Sequence, residues 1–537
     1  MFPTGFIPAR GTLGAPPEPS VKAVGIPAPV AGINAVDNLA ALDPSFCLDA
    51  VNLIADGRTM KVRPGYQEYA TSIGAGAGVR TIIPFEAGTT ANNELFAVTK
   101  EGIYEITAGG AIGAAEVALS NATNTGWGVW TTFVSDAGTH YSFYADETDG
   151  LFRRAEAGTW AAVTDITGVT ETTLVFVMQF KGRLWFVERD TGSAWYLATG
   201  AISGAATEFN FGNKFNHGGK LVGLYSWTVD GGEGIDDHLV AVSTSGDVMV
   251  YKGTDPSSVA TWELVGQYYI GVPPAGRRIA KQQGGDLYLV SQYGIIPLTR
   301  LLQGALVQQE DAQLTRNIAP LIADTLFSTR ATLGWSMCNV PEHNVFLVTT
   351  PKVTGENWLQ YCLSTRTQGW TQWESMPINC GEVYLGEFYI GNETDVVYKT
   401  DVNQDNIAAA GTGGTDITFN LLTSFQEHGE IGMYHRIMFI RPVFLTGGSP
   451  GANLEARYDY DMNAASASDS AATVSGLATW DVSLWDVAIW GSALVTLERV
   501  GSAQGIGRAM AVAMSGSSNT ETGLIRIDTL FDTGGYL

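Results

Sequence analysis

Six histidines are the residues best suited to catalysis or metal binding, and none has the neighbours that such chemistry needs. They are His140, His217, His238, His343, His428 and His435. A zinc hydrolase would carry an HExxH helix, and a serine hydrolase would place its nucleophile in GxSxG. Neither pattern surrounds any of them, and the sequence contains no GxxxxGK[ST] phosphate loop. We therefore expect ordinary turn or strand-edge histidines, with no catalytic residue, no cofactor and no metal ligand.

Clustered carboxylates are the next candidates, because hard cations and glycosidic bonds both require them. The loop DGGEGIDDH (230–238) has four carboxylates, but their spacing departs from that of a calcium loop. DVNQD (401–405) begins like such a loop and does not continue as one. SDAGTHYSF (135–143) is the nearest approach to a sialidase-type Asp box, and it occurs once with altered spacing. We interpret the first as a solvated acidic loop and expect the protein not to be an enzyme.

Positive charge is concentrated in one short stretch, NLIADGRTMKVRPGYQEY (52–69). Arg58, Lys61 and Arg63 lie within six positions of a chain that has 30 Lys and Arg against 54 Asp and Glu, a formal net charge of −24. The stretch contains Arg-Pro-Gly, in which proline fixes φ and glycine permits unusual values, so its backbone has a defined shape. Two interpretations stay open: a solvated hairpin with a basic turn, or a contact surface for acidic groups.

Length and composition restrict the class of protein. A chain of 537 residues exceeds one ordinary domain. The 64 glycines and only 16% charged residues favour tight turns, short strands and surface hidden against other subunits. The acidic balance argues against a protein that grips nucleic acid, which needs clustered Lys and Arg. Because no apolar run of about 18 residues is present, no membrane span is expected.

The cysteines and the N-terminus indicate where the protein is made. Cys47, Cys338, Cys362 and Cys380 have no CxxC spacing, and we interpret them as buried thiols of a protein made in a reducing cytoplasm. The N-terminus has no charged region followed by an apolar one, so we expect no signal peptide.

One structural unit repeats through the middle of the chain. Each repeat is a strand of alternating apolar and aromatic residues, a Gly-containing turn and a second strand. Equivalent residues recur every 38 to 58 positions, with a mean of 48, which is typical of four-stranded propeller blades. We predict an all-β fold with a β-propeller of six or seven blades over 70–400; a chain of β-sandwiches is the alternative. The equivalent residues are Phe96, Phe143, Trp185, Val240, Tyr288, Phe346 and Tyr384.

The segments that flank or interrupt the repeats differ in character. Residues 1–69 are interpreted as an N-terminal extended arm, because the first 45 are rich in Pro, Gly and Ala. Strand patterns predict a separate C-terminal β-sandwich-like domain over 401–537. Within the repeats, TRNIAPLIADTLFST (315–329) has helical apolar spacing and predicts a short surface helix between blades.

The stretch before the predicted propeller resembles the tail nozzle, or tail tubular B, proteins of short-tailed bacteriophages. Those proteins carry an asparagine, a Gly-containing turn and a Lys/Arg-Arg-Pro-Gly sequence at this place. The matching residues are Asn52, Gly57, Lys61, Arg63, Pro64 and Gly65. Val62 stands where many members have a second basic residue. Three C-terminal runs are also similar to the ends of such proteins: WDVSLWDVAIWG (480–491), GIGRAMAVAMSGSS (505–518) and DTLFDTGG (528–535).

The resemblance implies a structural protein of the virion tail, assembled in the host cytoplasm. Its copies would form a ring, commonly a hexamer, below the tail adaptor, and DNA would leave the capsid through the lumen without specific binding. Its partners would be other copies of itself, the adaptor, and tail fibres or spikes. The segments 1–69 and 401–537 would contribute to a platform that meets the adaptor. The residues expected at a subunit or adaptor interface are Asn52, Gly57, Arg58, Lys61, Arg63, Pro64 and Gly65.

Two functions from other classes remain as alternatives. One is a carbohydrate-binding or carbohydrate-cleaving phage tail propeller, which glycan binding or saccharide release would reveal. The other is a free propeller that mediates protein contacts, which would stay monomeric in solution.

Overall fold

Short antiparallel strands joined by tight turns account for most of the chain. The computed structural model describes residues 21–536 apart from 75, 121–122, 231–234, 259, 305–311, 429–431, 464, 466–493 and 499–500. The run 480–491 and residues 1–20 of the predicted arm therefore lie outside the described residues. No helix in the described ranges is long and apolar enough to cross a membrane.

Four successive sheets of four antiparallel strands follow one another from residue 81 to residue 269. We number them blades I to IV and letter their strands a to d in chain order. Blade I contains Thr81–Phe85, Glu94–Val98, Gly102–Glu105 and Val117–Ala118, and blade II contains Gly128–Val134, His140–Asp146, Gly150–Ala155 and Ala161–Ala162. Blade III contains Leu174–Phe180, Arg183–Glu188, Ser193–Tyr196 and Thr207–Asn210, and blade IV contains Leu221–Asp230, Ile235–Ser243, Asp247–Gly253 and Trp262–Tyr269.

Blade V has three strands in the described part of the chain, and helices follow its third strand. The strands are Ala280–Gln283, Asp286–Ser291 and Gly294–Pro297. The helices are α1 (Leu298–Leu302), a 3₁₀ turn (Arg316–Ile318) and α2 (Ala319–Thr329). The helix predicted over 315–329 is confirmed, because its apolar residues Ile318, Ile322 and Leu326 are buried while Phe327 on the opposite face is 75% exposed.

Blades VI and VII complete the series, and the last takes one strand from the N-terminal segment. Blade VI contains Ser336–Val340, Val345–Thr349, Leu359–Ser364 and Trp370–Glu374. Blade VII contains Cys380–Tyr384, Glu387–Gly391 and Val397–Val402, and its fourth strand is Gly65–Thr71, antiparallel to Val397–Val402. The propeller therefore uses residues outside the predicted range 70–400, because a strand from before the repeats closes it.

The seven blades close into a ring. Neighbouring blades pack in chain order, and strand a of blade VII packs on strand a of blade I. The first strands of all seven blades line one axial cavity of about 450 Å³. The chain thus contains a propeller of seven blades, within the six or seven predicted. Among the described residues, the remaining short elements are the 3₁₀ turns Leu39–Ala41, Thr90–Asn92, Glu171–Thr173, Gly212–Lys214 and Pro341–His343, and the two-residue strands Gly110–Ala111, Ile166–Thr167 and Gly204–Ala205.

Six of the seven residues aligned from the sequence lie on strand b of their blades, from blade I to blade VI. The alignment is wrong for Tyr384, which ends strand a of blade VII. The equivalent strand b there is Glu387–Gly391. The two strands are joined by a two-residue turn, Leu385–Gly386, and apolar and aromatic residues lie on both sides of it, so either strand is a candidate for strand b.

A β-sandwich built from both ends of the chain stands beside the propeller. Its first sheet contains Val21–Pro27, Leu53–Asp56, Thr59–Val62, Met433–Thr446, Val495–Glu498, Gly501–Ser502 and Thr522–Tyr536. Its second contains Gly32–Ile33, Phe46–Val51, Gln404–Ile407, Gly413–Thr423, Gly451–Tyr458 and Met510–Ser518. The predicted sandwich is present, but it is not made by 401–537 alone, because N-terminal strands pair in both sheets.

Backbone hydrogen bonding runs without a break from the propeller into the second sheet of this sandwich. Strand d of blade VI, Trp370–Glu374, pairs with Gly32–Ile33 and Phe46–Val51. At the other side, Gln404–Ile407 pairs with Gly65–Thr71 of blade VII. The sandwich is therefore joined to two adjacent blades by sheet pairing as well as by side-chain packing.

Two histidines that contact Phe531 of the sandwich, the buried His435 and the half-buried His428, predict acid sensitivity. The His428 ring stacks on Phe531 at a centroid distance of 5.1 Å, and the buried His435 ring lies edge-on to Phe531 at 5.5 Å. Burial lowers the pKa of His428 from 6.5 to about 4 and also lowers that of His435, whose ring nitrogens have no hydrogen-bond partner among the described residues. Glu427 opposes the shift at His435, and Lys22 reinforces it.

Both histidines should therefore make the protein less stable as the pH falls from 6.5 towards 4. In that window the unfolded chain binds protons that the folded chain does not, so the free energy of unfolding decreases as the pH falls. Urea denaturation between pH 7 and 5 measures this slope, and His428→Gln should flatten it. His140→Gln in blade II is the matched control and should keep it. An unchanged slope in the His428 variant would contradict the assignment.

Candidate interface site

The basic stretch forms a hairpin whose geometry follows from its sequence. Strands Leu53–Asp56 and Thr59–Val62 pair in antiparallel register, and Gly57 with Arg58 makes the two-residue turn. Gly57 has φ +63°, which a two-residue hairpin turn requires and glycine adopts without strain. Both turn residues are exposed, so the hairpin presents its tip to solvent.

Asn52 lies at the base of this hairpin and connects three parts of the fold. It is 2% exposed and has a left-handed backbone with φ +57°, a conformation that asparagine tolerates better than most residues. Its side-chain nitrogen donates to the carbonyl of Thr418, in the sandwich strand Gly413–Thr423, at 2.8 Å. Its side-chain oxygen accepts from the backbone N–H of Glu374 in blade VI at 2.8 Å and from Arg63 Nε at 2.9 Å.

Arg63 is buried at the centre of this arrangement, with no exposed side-chain surface. Its guanidinium makes a two-pronged ion pair with Asp405, with nitrogen–oxygen distances of 2.8 and 2.7 Å. The other contacts are to Asn52 Oδ1, to the carbonyl of Pro64 at 2.9 Å and to the carbonyl of Glu374 at 3.4 Å. Five hydrogen bonds occupy the five donors of the guanidinium, the arrangement that makes a buried arginine tolerable.

We call Asn52, Arg63 and Asp405 the Arg63 joint, because they tie the N-terminal segment to blade VI and to the C-terminal region. Gly65 belongs beside it for a steric reason. A Cβ at Gly65 would lie 2.0 Å from the carbonyl oxygen of Gln404, the residue before Asp405. Only glycine permits this approach, which brings the strand of Asp405 against the strand that closes blade VII.

Two of the three basic residues keep exposed side chains on the hairpin. Lys61 forms an ion pair with Glu521 at 2.7 Å, and the two side chains are 39% and 45% exposed. Arg58 at the tip has no ion pair with another described residue. Asp56 on the same hairpin pairs with Arg366 at 2.9 Å.

These positions change the interpretation of the predicted interface residues. Arg63 and Asn52 cannot be contact residues of a free surface, because both are buried and their polar atoms are used within the chain. The alternative of a solvated basic turn is also wrong for Arg63. Gly57, Arg58 and Lys61 remain accessible, whereas Pro64 and Gly65 shape the joint.

A polar cavity of about 300 Å³ adjoins the joint. Lys61, Glu342, His343, Asp401 and Glu521 line it together with Arg63. Burial, then the nearby Asp401 carboxylate, raises the pKa of Glu342, and burial lowers the pKa of His343. Among the described residues no group of three or more His, Cys, Asp or Glu is placed to hold a metal. The acidic loop 230–238 is outside this statement in part, since 231–234 are not described.

The axial cavity of the propeller carries a second set of charged side chains. Arg277 pairs with Glu147, and Lys281 lies 3.9 Å from Glu382. Arg278 donates to the carbonyl oxygens of Gly128 and Arg80 and to the Thr81 hydroxyl, with no carboxylate among its partners in the described chain.

Sequence reasoning did not identify Asp405 or Arg278. Asp405 stood in the sequence as the last residue of DVNQD, an incomplete calcium loop, and 342 positions separate it from Arg63. No local signal could pair them. Arg277 and Arg278 did carry a signal, since they form an adjacent basic pair in a chain short of positive charge. The four cysteines are buried and unpaired, as predicted.

Comparisons with known proteins add little to the strand topology. No family model matches the chain, and no curated protein matches it. Among solved structures, Chaetomium thermophilum Raptor aligns at 13% identity with a TM-score of 0.35, covering 63% of this chain and 29% of its own. The Cps50 (Swd1) β-propeller domain of Myceliophteria thermophila aligns at 11% identity with a TM-score of 0.34, covering 62% of this chain and 99% of its own. This chain therefore spans less than a third of the Raptor chain and nearly all of the Swd1 domain.

Proposed function

We propose that this protein is a structural subunit of the tail of a short-tailed bacteriophage, a nozzle protein whose copies form a ring below the tail adaptor. The proposal begins from the sequence match over Asn52, Gly57, Lys61, Arg63, Pro64 and Gly65. The observation that carries it is the role of these residues in the fold. Asn52, Arg63 and Gly65 among them join the N-terminal segment and the C-terminal region to the propeller through the Arg63 joint and the continuous sheet.

Such a joint suits a subunit that transmits force between an adaptor and a tube. A platform built from terminal segments would detach under load if it were tied to the propeller by a flexible linker. Here strand pairing to blades VI and VII and a buried ion pair hold it instead. The acidic excess also suits a conduit, since DNA passes more freely along walls that it does not bind.

In this proposal the accessible hairpin residues Arg58 and Lys61 contact acidic groups on a neighbouring subunit or on the adaptor. Their exposed charges add little to the stability of one chain, because a surface ion pair is worth about 0–1 kcal/mol. Once desolvated between subunits, the same charges matter more, and loss of one partner costs about 2–5 kcal/mol of association.

The test is electron microscopy of the purified protein, together with its mass in solution. We expect rings from the unmodified chain and monomers from the double variant Arg58→Glu, Lys61→Glu, with the urea midpoint of unfolding nearly unchanged. Lys220→Glu with Lys399→Glu is the matched control, because it changes the same number of surface charges on the propeller. Persistent monomers of the unmodified chain would contradict the ring, and rings from the double variant would place the interface elsewhere.

A further inference from the structure

One end of the propeller axis carries a cluster of cations around a cavity of about 500 Å³. We call Arg80, Lys100, Trp127, Arg278 and Lys352 the basic mouth. The first three and Lys352 line this cavity, and a smaller one shares Trp127 with it and Arg278 with the axial cavity.

Blade topology explains why residues so distant in sequence meet here. In an antiparallel blade, the loop before strand a and the turn between strands b and c lie at the same end. Arg80 and Trp127 immediately precede strand a of blades I and II, and Arg278 lies two residues before strand a of blade V. Lys100 lies between strands b and c of blade I, and Lys352 lies between strands b and c of blade VI.

The charge of the mouth is opposite to that of the chain. Three cations and one carboxylate, Glu393, line the cavity, whereas carboxylates outnumber cations in the whole sequence. Arg80, Lys100 and Lys352 have no ion pair with any residue that the structure describes. Lys352 Nζ donates instead to the carbonyl of Glu356. A concave site with cations and few counterions attracts and concentrates anions.

Arg278 adds a positive charge next to the Trp127 ring, which lines the cavity. Its partners are two carbonyl oxygens and one hydroxyl, which stabilise the guanidinium without neutralising it. Burial lowers its pKa from a value so high that the group keeps its charge. The Trp127 ring holds this end in place, with the Arg278 guanidinium 5.2 Å and the Arg80 guanidinium 5.8 Å from its centroid.

We propose that the basic mouth binds a small phosphate-bearing ligand, whose phosphate oxygens contact Arg80, Lys100 and Lys352. Guanidinium and ammonium groups are the usual partners of phosphate, and Arg80 is already oriented by Trp127. The size of the cavity suits a phosphate ester better than a nucleic acid strand. The net charge of −24 also opposes the approach of a long polyanion. The site is independent of the proposed tail function and of the hairpin contacts.

The test is isothermal titration of the full chain with pyrophosphate at low and high sodium chloride. We expect binding that weakens with salt and falls at least about tenfold in the triple variant Arg80→Gln, Lys100→Gln, Lys352→Gln, because charge-assisted hydrogen bonds are lost. Arg58→Gln, Lys220→Gln, Lys399→Gln is the control with the same charge change and should keep the affinity. Lys100→Glu with Lys352→Glu tests the site without altering partly buried Arg80.

Two further ligands test whether the site recognises the phosphate group of an ester. Glucose 6-phosphate should bind, and glucose should not. No binding of pyrophosphate by the unmodified chain would overturn the proposal, and so would an equal loss in the control triple, which would indicate a general charge effect. If a short single-stranded oligonucleotide bound more tightly than glucose 6-phosphate, the site would favour nucleic acid over a small ligand. That result would also overturn the proposal.

Discussion

Replacing Arg63 by alanine should lower the free energy of unfolding by about 3–5 kcal/mol, the usual cost of removing one partner of a buried ion pair. Asp405 would keep its charge with its side chain only 12% exposed and would lose both guanidinium contacts. Asn52 would also lose one donor to its side-chain oxygen. Urea denaturation at neutral pH, followed by tryptophan fluorescence and circular dichroism, measures the change.

Two matched variants separate the buried pair from a general effect of charge. Arg58→Ala removes a cation from the exposed tip of the same hairpin and should change stability by no more than about 0.5 kcal/mol. Arg63→Lys keeps the charge but cannot reproduce the planar fork that meets Asp405 and Asn52 together, so an intermediate loss is expected. Equal free energies of unfolding for Arg63→Ala and Arg58→Ala would show that water compensates for the lost ion pair. The Arg63 joint would then not stabilise the fold.

Replacing Trp185 by alanine should cost about 3–5 kcal/mol, as for other large aromatic residues deleted from a core. Trp185 has no exposed surface and lies on strand b of blade III. Its ring lies 4.8 Å from that of Tyr196 in its own blade and stacks on Trp262 of strand d in blade IV at 5.9 Å. The truncation would therefore open a cavity between two blades.

The same denaturation experiment includes its controls. Trp185→Phe retains part of the ring volume and should lose clearly less than the alanine variant. Leu264→Ala, at a 41% exposed position on the outer strand of blade IV, should have a small effect. A loss below about 1 kcal/mol for Trp185→Ala would contradict the blade packing described here.

Local pattern was sufficient for the repeated part of the fold. Each pair of strands with its glycine turn occupies about 15 residues, so the alternation of apolar residues is visible in a short segment of sequence. For this reason Phe96, Trp185 and Phe346 could be assigned to equivalent strands. Tyr384 was misassigned because apolar and aromatic residues occur on both sides of the two-residue turn that joins strands a and b of its blade. The number of blades could only be limited to six or seven, because the fourth strand of blade VII, Gly65–Thr71, lies before the repeats in the sequence.

Only the tertiary structure shows which cations of the basic stretch are buried and which are exposed. The sequence singled out Arg58, Lys61 and Arg63 equally, because composition and spacing treat three cations alike. They differ in burial: Arg63 forms a buried ion pair with Asp405, whereas Arg58 lies at the exposed tip of the hairpin. The partner of Arg63, the approach of Gly65 to Gln404 and the meeting of the loops in the basic mouth all join residues distant in sequence. Such contacts depend on how the sheets pair and close, and no local period or motif encodes them.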